Sequence, residues 1–156
     1  MTESDLFYRL VYTSRATSPV DAIALAELSR QRNRRTGITG GLAVIDAVYL
    51  QYLEGTEEAV EKLFVKILED PRHCDVKVLE RRHTPRRMFT NWRMALLEWT
   101  DRTRDIYVSF TPGGKLDLYQ TDPSTAAPLF RAWAATSDWL KGATEKDDGA
   151  APCPEG

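Results

Sequence analysis

A chain of 156 residues that is 42% hydrophobic and 28% charged has material for one packed domain and a short appendage. Its formal net charge of −2 argues against nucleic-acid binding, in spite of the basic clusters RQRNRR (30–35) and RRHTPRR (81–87). No apolar run approaches the roughly 20 residues of a membrane span, the polar start MTESDLFYRL does not read as a signal peptide, and neither Cys74 nor Cys153 sits in a disulfide framework or metal-ligand spacing. A cytoplasmic protein without a membrane partner or a metal site is expected.

Residues 6–13, LFYRLVYT, read as a strand with Tyr8, Leu10 and Tyr12 on one face and Phe7 and Val11 on the other. After the loop SRATSP, Pro19 suits a first helical turn, and Val20, Ile23, Ala24 and Leu28 recur at helical spacing to about Arg34, with Leu25 beside them. Gly37 ends that helix and GITGG leads into a hairpin of strands 42–46 and 48–53, bent near Asp46-Ala47. Thr56 is the candidate N-cap of a second helix whose apolar stripe is Val60, Leu63, Phe64, Ile67 and Leu68. DPRHCD breaks it. VKVLERRHT gives a fourth strand and NWRMALLEW a fifth, with Trp92, Met94 and Leu96 on one face.

The order βαββαββ predicts an α+β fold: a ferredoxin-like βαββαβ sandwich with two helices on one sheet face, an added fifth strand and a C-terminal extension containing a helix. Within that extension DIYVSFTPGGKLDLY is either a hairpin about Pro112-Gly113-Gly114 or an interrupted helix. DPSTAAPLFRAWAATSDWLKG reads as one amphipathic helix over about 124–141, with Leu129, Phe130, Trp133 and Trp139 on its apolar face. From Thr144 a charged, Gly/Pro-rich tail is expected to be disordered.

Three polar residues interrupt faces aimed at the core: Tyr12, Asn33 and Gln51. Tyr12 has an ordinary reading as a buried ring bonded to backbone, and Asn33 as a cap on the arginine-rich helix end. Gln51 is harder to explain, because a buried amide needs partners or costs about 1–3 kcal/mol. Catalytic motifs are poor: no phosphate loop, dinucleotide fingerprint, zinc-protease motif or paired carboxylates occur, and His73 and His83 lie near opposite ends of one predicted strand. Arg15 after strand one leaves open a small acyl-phosphate hydrolase.

YRLVYTSRA, RNRRTGITGGL, YLQYLEGTEEAVEKLFVKILEDPRH and RRMFTNWRMAL, in this order from about Leu6 to Leu97, resemble the BLUF domain, a blue-light sensor that uses FAD. The resemblance implies that Tyr12 and Gln51 form a hydrogen-bonded pair against the flavin's N5 and O4 edge, and that Asn33 binds its carbonyl edge. It implies photoactive roles for Trp92 and Met94, which compete for a place beside the glutamine. Lys66, Asp70, Arg72 and His73 match positions near the ribityl and phosphate part of FAD (FMN is the other option). Leu25 and Ile67 suit the apolar walls of a slot for a flat ring. Lys66 departs from a common arginine, and Gly41 stands where a larger apolar residue is usual, which would loosen packing near the ring.

The resulting expectation is a photoreceptor rather than an enzyme. Residues 1–99 would form the flavin-binding sensor, 100–143 an extension for output or oligomerisation, and 144–156 a tail. Light would rearrange the Tyr12–Gln51–flavin hydrogen bonds, and strand five would pass the change to the extension and a partner protein. The helix around 124–141 would expose Phe130 and Trp133 unless covered, so a homodimer or higher homo-oligomer is expected beside an unnamed effector. The alternative is a flavin-free ferredoxin-like regulatory or binding module, its slot filled by side chains.

Overall fold

The computed structural model describes residues 6–141; the expected tail at 144–156 lies outside them. β1 (Phe7–Ala16), α1 (Ala22–Thr36), β2 (Thr39–Ile45), β3 (Val48–Gly55), α2 (Glu57–Glu69) and β4 (His73–Thr84) follow the expected order. Then come β5 (Ala95–Leu97), α3 (Asp101–Ser109), two single 3-10 turns, α4 (Ala126–Ala134) and β6 (Trp139–Leu140). The six strands form one sheet in the order β4-β1-β3-β2-β5-β6, antiparallel except for the β2–β5 pair. Its first four strands have the ferredoxin-like arrangement.

Strand alternation divides the core in two. Tyr8, Leu10 and Tyr12 of β1, Leu53 of β3 and Leu42 of β2 face α1 and α2, where they meet Ala26, Val60, Leu63 and Phe64. Val11, Ala43, Leu50 and Tyr52 point to the other face, onto Phe130 and Trp133 of α4. The face that the βαββαβ order leaves bare is thus covered by the chain's own extension.

Local chemistry sets the element ends. The Asp21 side chain accepts from the Ala24 amide at 3.1 Å and Thr56 from Ala59 at 3.1 Å, each taking up a helical N–H that has no partner in its own first turn. Helix α1 therefore starts after Asp21, not at Val20. Gly37 closes it at φ 76° and donates to Asn33 O, a conformation that suits glycine. Asp46 and Ala47 both have positive φ, 54° and 62°, so the hairpin bends where expected, through a turn whose twist fits two paired strands.

Several expectations are corrected. Ile23 and Leu68 are exposed, so the inner stripes of α1 and α2 are narrower than their apolar spacing implied. Of the two readings open for the stretch before Pro112-Gly113-Gly114, the interrupted helix is the one found: residues 101–109 are helical, capped by Thr100. The helix expected over 124–141 ends at Ala134, and Trp139 lies not on its apolar face but on β6, paired with Leu97. Strand five shrinks to three residues: Trp92 precedes it and packs against Phe89 and Trp139, while Met94 lies on the helix-covered face.

Gly41 is also corrected. Its missing side chain faces away from α1 and α2, where a Cβ would stand 3.0 Å from two ring carbons of Trp139 and 3.3 Å from Phe89. The indole fills the space, and packing there is tight rather than loose.

Candidate functional site

Tyr12 and Gln51 are directly opposed on β1 and β3, and the Tyr12 hydroxyl donates to Gln51 Oε1 at 2.6 Å. The other amide head, Gln51 Nε2, lies 3.4 Å from Met94 Sδ, a weak acceptor. Both residues of the pair are buried, and Met94 is fully so. Burial pushes the Tyr12 hydroxyl well above the usual tyrosine range, against a partial pull from the Arg32 charge, so at neutral pH the phenol keeps its proton. Tyr49, two residues before Gln51 on the same face, is raised in the same way by burial.

Two cavities of about 310 and 320 Å³ open between α1 and α2, the first of them above this pair, each of the size of a small-molecule site. Tyr12, Tyr49 and Gln51 form the floor of the first, Leu25, Leu28 and Ile67 its apolar walls, and Asp70, Arg72 and His73 line it as well. The second is lined by Asn33 and Lys66, with Ile38 and Leu63. Arg32 lines both and so stands between them.

Asn33 does not cap its helix; it sits in the last turn, fully buried, with Nδ2 donating to Arg93 O at 2.6 Å. Its Oδ1 is buried without a hydrogen-bond partner. A buried amide oxygen so placed marks where a donor from a ligand belongs. His73 is held at both ring nitrogens, Nδ1 2.8 Å from Ser14 Oγ and Nε2 2.6 Å from Ile67 O. Its ring meets Tyr12 and Tyr49 edge-on, at 6.2 and 5.9 Å between centroids. The Arg72 guanidinium bonds Asp70 at 2.7 Å and holds that carboxyl below the usual range.

Tyr12, Gln51, Leu25, Ile67, Asp70, Arg72 and His73 are thus gathered at one cavity, with Met94 against Gln51 and with Asn33 and Lys66 at the neighbouring cavity. Trp92 is not among them, since its ring belongs to the opposite sheet face. Sequence reasoning missed Arg32 and Ser14. The signal was present: Ser14 is the next inward residue after Tyr12 on β1, and Arg32 adjoins Asn33 on the helix.

The donor set suits a flavin. Apolar walls take the faces of a flat ring, the orphaned Asn33 oxygen can accept from an imide N–H, and Lys66 and Arg72 offer positive charge to a phosphate. A module whose slot is filled by side chains would not leave these cavities or that oxygen, so the flavin-free alternative is not favoured.

Comparison with known proteins gives the same answer. The family described as "BLUF: Sensors of blue-light using FAD" matches residues 7–95. The beta subunit of a photoactivated adenylate cyclase from Euglena gracilis is 32% identical over 108 residues, 66% of this chain. That stretch is only 12% of the relative's length, so the chain spans a small part of that protein. Among solved structures, the BLUF protein BlrB in its dark state superposes with a TM-score of 0.69 at 27% identity, covering 85% of this chain and 98% of the other. BlrP1 of Klebsiella pneumoniae, bound to FMN and cyclic diGMP, superposes with a TM-score of 0.56 at 40% identity, over 58% of this chain and 25% of its own. Among the described residues no helix is long and apolar enough to cross a membrane.

Proposed function

Because the chain belongs to the BLUF family of flavin-based blue-light sensors, we propose that its light response is carried by Tyr12, Gln51 and Met94. The observation that supports this most is the continuous contact from the Tyr12 hydroxyl through both heads of the Gln51 amide to the Met94 sulfur. A flavin, FAD or FMN, would supply the light absorption and an excited state that accepts electrons when bound. Asn33, Leu25 and Ile67 would hold its ring, and Lys66, Asp70, Arg72 and His73 its ribityl and phosphate end. Tyr12 stores a proton on a phenol that burial keeps neutral. Gln51 has one accepting and one donating head, so turning its amide exchanges which neighbour receives a donor. That turn would put a donor against Tyr12 and a carbonyl against Met94, and the segment bearing Met94 would then move.

β5 lies between this site and the extension, and it pairs with β6 at Leu96–Leu140 and Leu97–Trp139. We read the chain as a sensor with no catalytic site of its own, whose extension, residues 100–143, hands the signal to a separate effector. The homo-oligomer stays a proposal, but not with α4 as its contact, because Phe130 and Trp133 are covered within the chain. Sedimentation of the flavin-loaded chain in darkness and under blue light reads its size.

The deciding experiment is the light-minus-dark absorption of Gln51→Leu. Leucine has similar volume and no amide, so the variant should stay yellow and lose the reversible red shift of the flavin band. A full shift in Gln51→Leu would remove the glutamine from the response.

A further inference from the structure

On β3, three residues beyond Gln51, Glu54 is a carboxylate with 1% of its surface exposed. It points to the sheet face opposite the cavities. Glu54 Oε1 accepts from the Met88 amide at 2.9 Å, and Oε2 from the Phe89 amide at 2.5 Å and the Thr39 hydroxyl at 3.3 Å. Arg87 donates to Thr39 Oγ1 at 2.9 Å and to the Glu54 carbonyl at 3.3 Å. Two successive backbone N–H groups outside any helix or strand are thereby satisfied by one side chain. Burial raises its carboxyl above the ordinary range, against the pull of these donors, which favour the charged form.

The segment held in this way is the one that enters the site. From Phe89 it runs through Trp92, whose carbonyl accepts from Gly40 at 3.0 Å, and Arg93, whose carbonyl accepts from Asn33, to Met94 beside Gln51. Phe89 packs at 5.1 Å on Tyr52 of β3 and at 5.8 Å on Trp139 of β6. One end of the segment is therefore fixed to the strand that carries the glutamine, and the other end rests on the glutamine itself.

We propose that Glu54 is a positioning residue of the light response: it pins the Met88–Phe89 end of this segment to β3, so that a turn of Gln51 displaces only the stretch from Trp92 to Met94. This pinning sets how fast the light-formed state relaxes. The inference rests on the assigned role of Gln51. With the pin in place, return to the dark arrangement needs the segment to repack against a fixed anchor. Without it, the segment moves as a loose loop and returns sooner.

The test is the dark recovery of the red-shifted band in Glu54→Gln. Glutamine keeps the shape but offers one carbonyl where two amide donors converge, and its NH2 opposes the second. The dark spectrum should be unchanged and recovery about tenfold faster, which corresponds to losing one charge-assisted hydrogen bond from the barrier. Unchanged or slower recovery overturns the proposal. Tyr107→Phe removes a buried hydroxyl that bonds Asp117 O and Thr121 far from this segment. It should leave recovery alone, and an equal acceleration there would mean general destabilisation instead. Should Glu54→Gln not fold, hydrogen exchange of the native chain decides: the Met88 and Phe89 amides should stay protected in light while Trp92–Ala95 change. Loss of protection at both alike overturns the pin. Failure of the underlying reading would look different, because Gln51→Leu would then keep its red shift whatever Glu54 does.

Discussion

A glutamine on the inward face of a strand must find partners for an acceptor and a donor, and at Gln51 they are a tyrosine hydroxyl and a methionine sulfur. The two are unequal. The Tyr12 bond is short and buried, whereas sulfur accepts weakly, so the donating head is the one a better acceptor could claim. Tyr12→Phe should leave Gln51 Oε1 without its donor, at a cost of about 1–3 kcal/mol in urea unfolding, and should abolish the red shift while flavin stays bound. Normal formation of the shifted state in Tyr12→Phe would show that the phenol is not the donor. Residue type marked both side chains, because a polar group on a face of apolar ones is conspicuous, but read alone it gave Tyr12 a backbone partner; their pairing was legible only through the resemblance to the BLUF domain. Asn33 was conspicuous for the same reason, although its ordinary reading as a cap was wrong: the cap is Gly37. Arg32 adjoins Asn33, but one arginine among four on a helix end does not stand out until the two cavities it separates are formed.

At the scale of elements, the first two helices and the first four strands could be read because each is long enough for its period to repeat. Strand five could not. Trp92, Met94 and Leu96 alternate like one strand, yet Gly40 and Asn33 capture the carbonyls of Trp92 and Arg93. The chain bends there, and Trp92 and Met94 reach opposite faces. The span 124–141 fails for a similar reason: Thr136 donates to the Trp133 carbonyl and ends the helix, and backbone pairing with β5 draws Trp139 away. A fixed period cannot register hydrogen bonds made by residues distant in sequence.

The packing of α2 on the sheet carries a pH dependence of its own. Glu61 accepts from Arg81 Nε of β4 at 2.8 Å and from the Tyr8 hydroxyl of β1. The Arg81 bond, before the Tyr8 bond, holds the Glu61 carboxyl below its ordinary value of 4.5. A lowered folded-state pKa contributes stability above the unfolded value and loses it as pH falls through the folded one. Urea midpoints should therefore drop as pH falls below about 4.5, and drop less steeply in Glu61→Gln. Parallel curves for the two chains would assign the acid loss to other carboxylates. Tyr8, raised to about 12 first by burial and then by Glu61, works at the other limit: its share is full below pH 10 and fades as pH rises towards 12.

For the whole molecule, the decisive fact is that one sheet separates two cores, one around Tyr12 and Met94 and one built from the extension. Trp133 is fully buried in the second, its indole donating to Thr103 O at 3.1 Å and its ring edge-on to Phe130 at 5.3 Å. Trp133→Ala should cost about 3–5 kcal/mol, and flavin release on heating should shift together with unfolding of the extension, since both cores share β1, β2 and β3. Flavin retention at the native temperature after the extension has melted would mean that the two cores unfold separately. Composition had pointed to a domain followed by an appendage; what it could not show is that the appendage supplies the sheet's second covering layer.

Gly41 bears on how such a sensor can be rebuilt. The indole of Trp139 lies where a side chain at position 41 would stand, so a strand residue and a residue almost a hundred positions later share one volume. Fusing residues 100–141 to another light-sensing sheet would need that bare backbone to travel with them, because a valine or leucine in its place would turn the indole outward and unseat β6. The transferable unit is a tryptophan together with the hole that receives it.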